Sequence, residues 1–242
     1  MYGTRPAGNL SVVTSRYWND GEEEEAAGTA CKAADLAFAL SGRAIPADYT
    51  FALSRAVIGY LPWLPLVQGA GLHLVHGAES GNGWQRDDAD GALVYLPRRA
   101  RLVLRLPQER LDDARALAGN TLDIRGFPLR VGEPGILPLS PSDTIYARHV
   151  VDEVGEEDAF LDKVAQAIDA LGPVRRKIMC GKSRRIVTPG GALSTRSVMV
   201  ANLAPRDSLA LLEKGIGSGR LMGCGLFVPY KRPNSAARGD DE

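Results

Sequence analysis

The chain has 242 residues, of which 45% are apolar and 24% charged, and it is long enough to bury a core without a disulfide or metal staple. It carries 29 basic and 29 acidic residues, which excludes an overall polycation but leaves room for a local basic face. Its three cysteines are far apart, which argues against a disulfide framework or a CxxC zinc site and suits a reducing, cytoplasmic location.

The first predicted elements are a strand, a helix and a second strand. Alternating polarity from Asp35 to Leu40 predicts a half-buried strand. A helix follows Pro46, with Asp48 as its expected N-cap. Residues 71–77 predict the second strand, and the polar stretch 79–91 predicts a loop.

The next elements complete one structural unit. Residues 101–106 predict a strand whose leucines face inward, while Arg101 and Arg105 face outward. An amphipathic helix is expected over 108–118, followed over 121–131 by a last strand or a hairpin turning at Gly126. The order β-α-β-β-α-β is that of a ferredoxin-like unit.

The same order then begins again after a linker predicted at residues 132–143, where prolines and glycines cluster. The second set comprises strands at 144–151, 177–187, 196–203 and 226–230, with helices at 157–171 and 206–214. The predicted fold class is therefore α+β, with two tandem ferredoxin-like (RRM-like) domains. The expected divisions are an N-terminal segment 1–33, a catalytic domain 34–133, an RNA-binding domain 142–232 with a glycine-rich loop, and an acidic tail 233–242.

The uncharged run from Ala56 to Ala78 is long enough to span a bilayer, but it contains two prolines and four glycines. It predicts a helix, a loop and a strand, so we expect no membrane association.

Charge is segregated along the chain. Residues 172–232 contain twelve basic and two acidic residues. This asymmetry indicates a polyanionic partner, although a solvated surface with scattered arginines is the alternative.

Five glycines are concentrated within the eleven residues from Gly215 to Gly225. They suit a backbone that turns tightly or approaches a ligand closely, and successive amides beside Lys214 and Arg220 can bind an anion. The spacing GxGxxxG, after a helix and before a strand, does not fit a dinucleotide-binding turn, and no Gly-Lys-Ser/Thr closes a P-loop. A flexible hairpin remains the alternative.

This glycine segment, within residues 208–229, resembles the C-terminal signature of the CRISPR repeat-processing endoribonucleases of the repeat-associated RNA-binding (RAMP) superfamily. The ending Gly-Cys-Gly-Leu-Phe-Val-Pro is similar to the myxobacterial-type branch. Looser matches include Leu40–Pro46, Gly71-Leu-His73 and Arg99–Pro107, and the resemblance covers about residues 35–231. Tyr49 departs from the pattern, since relatives are expected to carry histidine there.

The resemblance implies a metal-independent endoribonuclease without a cofactor. It would cleave CRISPR precursor transcripts within the repeat by 2′-hydroxyl attack, leave a 2′,3′-cyclic phosphate and stay bound to the repeat RNA. Other subunits of a CRISPR effector complex are expected partners, and a non-cleaving RNA-binding subunit of such a complex is the alternative. The RNA-binding residues expected are Arg43, Arg101, Arg105, Lys177, Lys182, Arg184, Arg185, Lys214, Gly215, Gly217, Gly219, Arg220, Gly223, Gly225 and Lys231.

Three histidines are available for acid–base chemistry, for which a pKa near 6.5 suits this side chain. His73 is the favoured catalytic residue, because the family places its catalytic histidine in this region. His76 would point to the opposite face of a regular strand, and His149 is interpreted as a satisfied core or interface histidine. Tyr49 is a further catalytic candidate that would orient the nucleophile; the alternative is an aromatic packed on the strand.

Overall fold

The structure is a computed structural model that describes residues 31–77, 92–172 and 176–230. The expected acidic tail, the 79–91 loop, Lys231 and residues 1–30 of the expected N-terminal segment lie outside the described residues. The fold is mixed α and β with antiparallel sheets.

A five-stranded sheet is formed by the first half of the described chain. Its strands pair in the order β3-β5-β1-β7-β6, and β2 and β4 form a separate two-stranded ribbon. Leu36 and Phe38 of β1 are fully buried among leucines of β5 and the helices. The elements are β1 (Ala33–Ser41), β2 (Ala44–Pro46), α1 (Thr50–Tyr60), β3 (Gly71–Leu72), β4 (Leu93–Tyr95), β5 (Arg101–Pro107), α2 (Leu111–Ala114), β6 (Thr121–Ile124) and β7 (Phe127–Pro138), with 3₁₀ turns at Leu64–Leu66, Gln108–Arg110 and Arg115–Leu117.

A four-stranded sheet follows, in the order β11-β8-β10-β9. One of its faces buries Ile145, Ala147, Val198 and Val200 in a second core with Phe160. The elements are β8 (Thr144–Val151), α3 (Glu157–Asp169), β9 (Lys177–Thr188), β10 (Gly191–Ala201), α4 (Pro205–Lys214), a 3₁₀ turn at Arg220–Met222, and β11 (Phe227–Pro229).

The start of α1 differs from the expectation. The N-cap is Tyr49, without a side-chain capping bond, so the expectation of Asp48 as the cap is wrong. Asp48 instead forms an ion pair with Arg125 in the β6–β7 hairpin. Arg125 and Gly126 have φ of 57° and 89°, the left-handed pair that a tight hairpin turn requires, so the hairpin at Gly126 is confirmed.

The linker expected at residues 132–143 is also wrong in its first half, because β7 runs to Pro138 and pairs with β1 as far as Ala34. Pro134 and Pro138 fit there because β6 pairs with β7 only as far as Arg130. Beyond that point β7 pairs with β1, and no other strand among the described residues pairs with its second side. Within the described ranges, no helix has the length and apolar character needed to cross a membrane.

Candidate functional site

His73 lies just beyond β3, where its amide donates to the carbonyl of Val103 at 2.9 Å. Its Nε2 is 3.4 Å from Oδ1 of Asp35, and 12% of the side chain is exposed. The regular strand ends at Leu72, so the expectation of a strand over 71–77 is wrong, and strand alternation does not set the relation between His73 and His76. His76 is exposed, whereas His73 faces the Asp35 carboxylate.

Arg105 is 1% exposed, so the expectation that it faces outward is wrong. Its Nε and Nη2 donate to the two carboxylate oxygens of Asp35 at 2.8 and 2.9 Å. Its Nη1 donates to the carbonyls of Leu212 and Phe227, both at 2.7 Å. The guanidinium therefore makes only internal hydrogen bonds among those described, which join β1 and β5 to α4 and β11. It is not available to an RNA phosphate.

The Asp35 carboxylate is held in its ionised form. Burial alone would raise its pKa, but the adjacent His73 imidazole and the two hydrogen bonds from Arg105 outweigh burial and hold the pKa well below its usual range. For His73, burial lowers the pKa; Asp35 opposes this effect, and the charges on Arg105 and Arg220 add to it. The result is a neutral His73 imidazole beside the ionised Asp35 carboxylate. A neutral imidazole is the form that can accept a proton as a general base.

Tyr49 is fully buried, and its hydroxyl donates to the carbonyl of Val75 at 2.9 Å. The ring thus belongs to the core and tethers the segment that carries His73 and His76. This agrees with the alternative of a packed aromatic, and we leave Tyr49 out of the proposed catalytic groups. A catalytic tyrosine would need its hydroxyl at the reacting atoms.

The glycine segment, taken from here on as residues 215–225, packs against residues 72–76, which we call the histidine segment. A Cβ on Gly223 would lie 2.8 Å from the side chain of Leu74, immediately after His73. A Cβ on Gly225 would lie 1.8 Å from the carbonyl oxygen of Ile216, and its φ is +66°. The glycines at these two positions are therefore explained by close approach of the protein to itself.

Arg220, within the glycine segment, binds backbone carbonyls in both halves. Its Nε and Nη2 donate to the carbonyls of Ala70 and Gly69 at 3.1 and 2.6 Å, and Nη1 donates to that of Lys214 at 2.5 Å. Burial, with a smaller contribution from Arg105, lowers its pKa to about 10. Like Arg105, Arg220 acts inside the protein rather than on its surface.

The remaining basic residues expected to bind RNA that the structure describes are exposed. Lys182, Arg184 and Arg185 lie on β9, which is the edge strand of its sheet. The other exposed basic residues of this set are Arg43, Arg101, Lys177 and Lys214. Arg101 also lines a groove with Arg98 and Arg99, and the same lining includes Ala37, Ala39 and Glu133.

His149 is buried, and its Nδ1 lies 2.8 Å from Oγ1 of Thr195. This confirms that it is a satisfied core histidine. Among residues 31–77, 92–172 and 176–230, no group of three or more His, Cys, Asp or Glu side chains is arranged to hold a metal ion.

Sequence reasoning missed the Asp35–Arg105 pair. The available signal was the register between β1 and β5. Asp35 lies on the face of β1 opposite to the buried Leu36 and Phe38, and it pairs directly with Arg105 on β5. Two opposite charges facing each other across a strand pair are the expected outcome of that register.

Comparison with known proteins gives consistent matches. Residues 34–232 match the family model described as Cas6 Crispr. The chain is 30% identical, over 205 residues, to the CRISPR-associated endonuclease Cas6 of Myxococcus xanthus strain DK1622, covering 84% of this chain and 83% of that protein. This match agrees with the myxobacterial-type resemblance found in the sequence.

Solved structures with a similar fold have low sequence identity. One is described as an RAMP protein binding different RNA substrates. Its match has a TM-score of 0.57 at 10% identity and covers 82% of this chain and all of the other. Another, the product of a Cas6-related gene from Pyrococcus furiosus, has a TM-score of 0.56 at 10% identity, covering 83% of this chain and all of the other. At such identities these structures support the fold alone.

Proposed function

The chain belongs to the Cas6 family of CRISPR proteins, and from that premise we propose that it is a metal-independent endoribonuclease that cleaves CRISPR precursor transcripts within the repeat. The relative from Myxococcus xanthus is named as an endonuclease, which supports nuclease activity here. The observation that carries the proposal is the position of His73, beside an ionised carboxylate and against the glycine segment.

The proposed reaction uses the 2′-hydroxyl of the RNA as nucleophile. His73 takes the hydroxyl proton, the 2′-oxygen forms a bond to phosphorus, and the bond from phosphorus to the 5′-oxygen breaks. His76, which is exposed three residues further on, is the candidate to donate a proton to the departing 5′-oxygen. The products are a 2′,3′-cyclic phosphate and a 5′-hydroxyl.

Charge on the transferring phosphorus requires a cation nearby. Lys214 is exposed at the end of α4, and its carbonyl accepts a hydrogen bond from Arg220, which in turn binds Gly69 and Ala70. This arrangement brings Lys214 to the same junction as the histidine segment. The exposed bases of β9 would then hold the phosphates of the repeat, which remains bound after cleavage.

We also propose that the two sheets are two ferredoxin-like domains with the glycine-rich loop in the second. The strand orders β7-β1-β5-β3 and β11-β8-β10-β9 support this assignment, because each places the first strand between the third and the fourth. Because β7 extends to Pro138, the boundary falls after that residue rather than at residue 133. Other subunits of a CRISPR effector complex remain proposed partners, in a cytoplasmic setting.

One observation favours a second function, that of a non-cleaving RNA-binding subunit. His73 turns Nε2 towards Asp35, and 12% of its side chain is exposed, so substrate access to the imidazole is restricted. Incubation with end-labelled repeat RNA in EDTA separates the two functions. A product ending in a 2′,3′-cyclic phosphate supports the nuclease, whereas binding without cleavage supports the subunit.

A further inference from the structure

An apolar row crosses the face of the four-stranded sheet that is turned away from its core. The register aligns Val228 with Tyr146, Tyr146 with Met199, and Met199 with Met179, so one side chain comes from each strand. These residues alternate with Ile145, Ala147, Val198 and Val200, which are buried in the core on the other face. Met179 is 41% exposed and Val228 is 37% exposed.

A second aromatic ring extends this row. Tyr230 follows β11 directly and is 38% exposed, and its ring centroid lies 6.4 Å from that of Tyr146. We call Tyr146, Met179, Met199, Val228 and Tyr230 the aromatic platform. Tyr146 and Met199 are half-buried between the three exposed members. A contiguous apolar surface that is open to solvent in this way marks a candidate binding surface.

The charge of this sheet indicates what binds. Strands β8 to β11 contain no acidic residue and six basic residues, which are Arg148, Lys177, Lys182, Arg184, Arg185 and Arg196. Of these, Arg196 is paired with Asp152 and Glu157 and is not counted as free charge. Lys177 and Arg184 are exposed and lie on the same face as the platform. Lys177 is two residues before Met179 on β9, so the two side chains share a face. Arg184 pairs with Thr195, which lies on the same side of β10 as Met199. The platform is thus flanked by positive charge along β9, which suits a polyanion.

We propose that the aromatic platform binds unpaired RNA, with bases stacked on Tyr146 and Tyr230 and with phosphates following Lys177 and Arg184. The identity of the polyanion as RNA rests on the proposed function. Bases within a duplex already stack on one another and cannot lie on a protein ring, so the strand must be single. Stacking on aromatic rings tolerates any base, so the site holds RNA without reading its sequence.

A second copy of the chain is a poorer occupant of this face. Self-association through the platform would bring Lys177 and Arg184 of one copy against the same residues of the other, and like charges at an interface oppose binding. RNA satisfies both the apolar and the charged components of the surface.

The test measures binding of two labelled probes by fluorescence anisotropy: an oligoadenylate of about 12 nucleotides and a blunt RNA duplex of the same length. Tyr146→Ala should weaken oligoadenylate binding about ten-fold or more and leave duplex binding unchanged. Tyr146→Phe keeps the ring and should restore the affinity. Tyr95→Ala is the matched control, because Tyr95 is an exposed tyrosine on β4, outside the platform.

Equal affinities of Tyr146→Ala and the unaltered protein for oligoadenylate would overturn the proposal, as would an equal loss for both probes. Sedimentation of the protein alone tests the second-copy alternative. If the protein is a dimer, and Tyr146→Ala dissociates that dimer without changing RNA affinity, the proposal that the platform binds RNA is overturned. Single-turnover cleavage of repeat RNA at saturating protein keeps the two proposals distinct. If the protein binds oligoadenylate through Tyr146 but never cleaves, the nuclease proposal fails and the platform stands.

Discussion

Arg105 and Arg220 reach in opposite directions across the junction between the two sheets. Arg105, on β5, donates to the carbonyls of Leu212 and Phe227, while Arg220 donates to those of Gly69 and Ala70. Each guanidinium therefore donates to backbone carbonyls that belong to the other half of the described chain. Together they fix the chain that leads into His73 against the glycine segment.

Removing Arg105 should destabilise the protein strongly. In Arg105→Ala the Asp35 carboxylate stays buried without its partner, and two carbonyls lose their donor, so we expect a loss of about 3–5 kcal/mol in the free energy of unfolding. Urea denaturation measures it. Arg115→Ala is the matched control, because Arg115 pairs with Asp112 on the surface and should cost less than about 1 kcal/mol. Equal losses in the two variants would show that the buried pair is not a main stabilising contact.

Two glycines with similar backbone angles should respond differently to alanine. Gly225 and Gly217 have φ of +66° and +69°, so both substitutions strain the backbone by about 1–2 kcal/mol. Only at Gly225 does the added Cβ meet the carbonyl of Ile216; at Gly217 it meets nothing within 4 Å. We expect Gly225→Ala to lower the melting temperature much more than Gly217→Ala, and a similar shift in both would contradict the packing described here.

Stability should fall as the solution becomes acidic. The folded protein holds the pKa values of His73 and Asp35 below their unfolded values of about 6.5 and 3.9. The unfolded chain therefore binds more protons as the pH falls, first through His73 below about pH 6.5 and then through Asp35 below about pH 4. Replacing His73 with Gln should flatten the stability profile between about pH 5 and 6.5. An unchanged profile would mean that His73 titrates in the folded protein as it does in the unfolded chain.

RNA affinity should depend steeply on salt through the exposed bases of β9. Replacing Lys182, Arg184 and Arg185 together with alanine should weaken repeat binding and reduce the slope of log K against log salt by about two, from the counterions of three phosphates on single-stranded RNA. The control removes three exposed bases elsewhere: Arg55, Arg115 and Lys163. If both triple variants shift the slope equally, β9 is an ordinary solvated strand.

Hydrophobic periodicity predicted the buried faces of several elements correctly. The alternation in β1, β5 and β8 and the apolar stripe of α3 each mark one buried face, which local sequence encodes directly. The same rule failed at Arg105, because the face opposite the leucines is covered by Leu212 and Phe227, far along the chain. Alternation identifies two faces of a strand but not what packs on the second one.

The candidate site was predicted in part. The glycine signature located the segment that packs against Leu74, next to His73. The sequence could not show that Tyr49 is a core residue or that Asp35 lies beside His73. Both contacts join residues more than 25 positions apart, and they depend on how β1, α1 and the histidine segment pack together. The prolines of β7 misled the linker assignment, because a strand tolerates proline where no described strand pairs with its second side.

The two histidines should contribute unequally to cleavage. His73 lies beside a carboxylate, and its lowered pKa keeps the imidazole in the neutral form that can accept a proton, whereas His76 is the candidate acid. Under the proposed mechanism His76→Ala slows cleavage less than His73→Ala, because water can protonate the 5′-oxygen at an exposed site. A dead His76→Ala beside an active His73→Ala would reverse the two roles.

The most direct test of the account is single-turnover cleavage of repeat RNA in EDTA by the unaltered protein and by His73→Ala. Single-turnover conditions are needed because a retained product would hide the chemical step. We predict a 2′,3′-cyclic phosphate product from the unaltered protein, and a rate about 10²–10⁴-fold lower for His73→Ala with repeat binding nearly intact. Cleavage by His73→Ala at the unaltered rate would contradict the account.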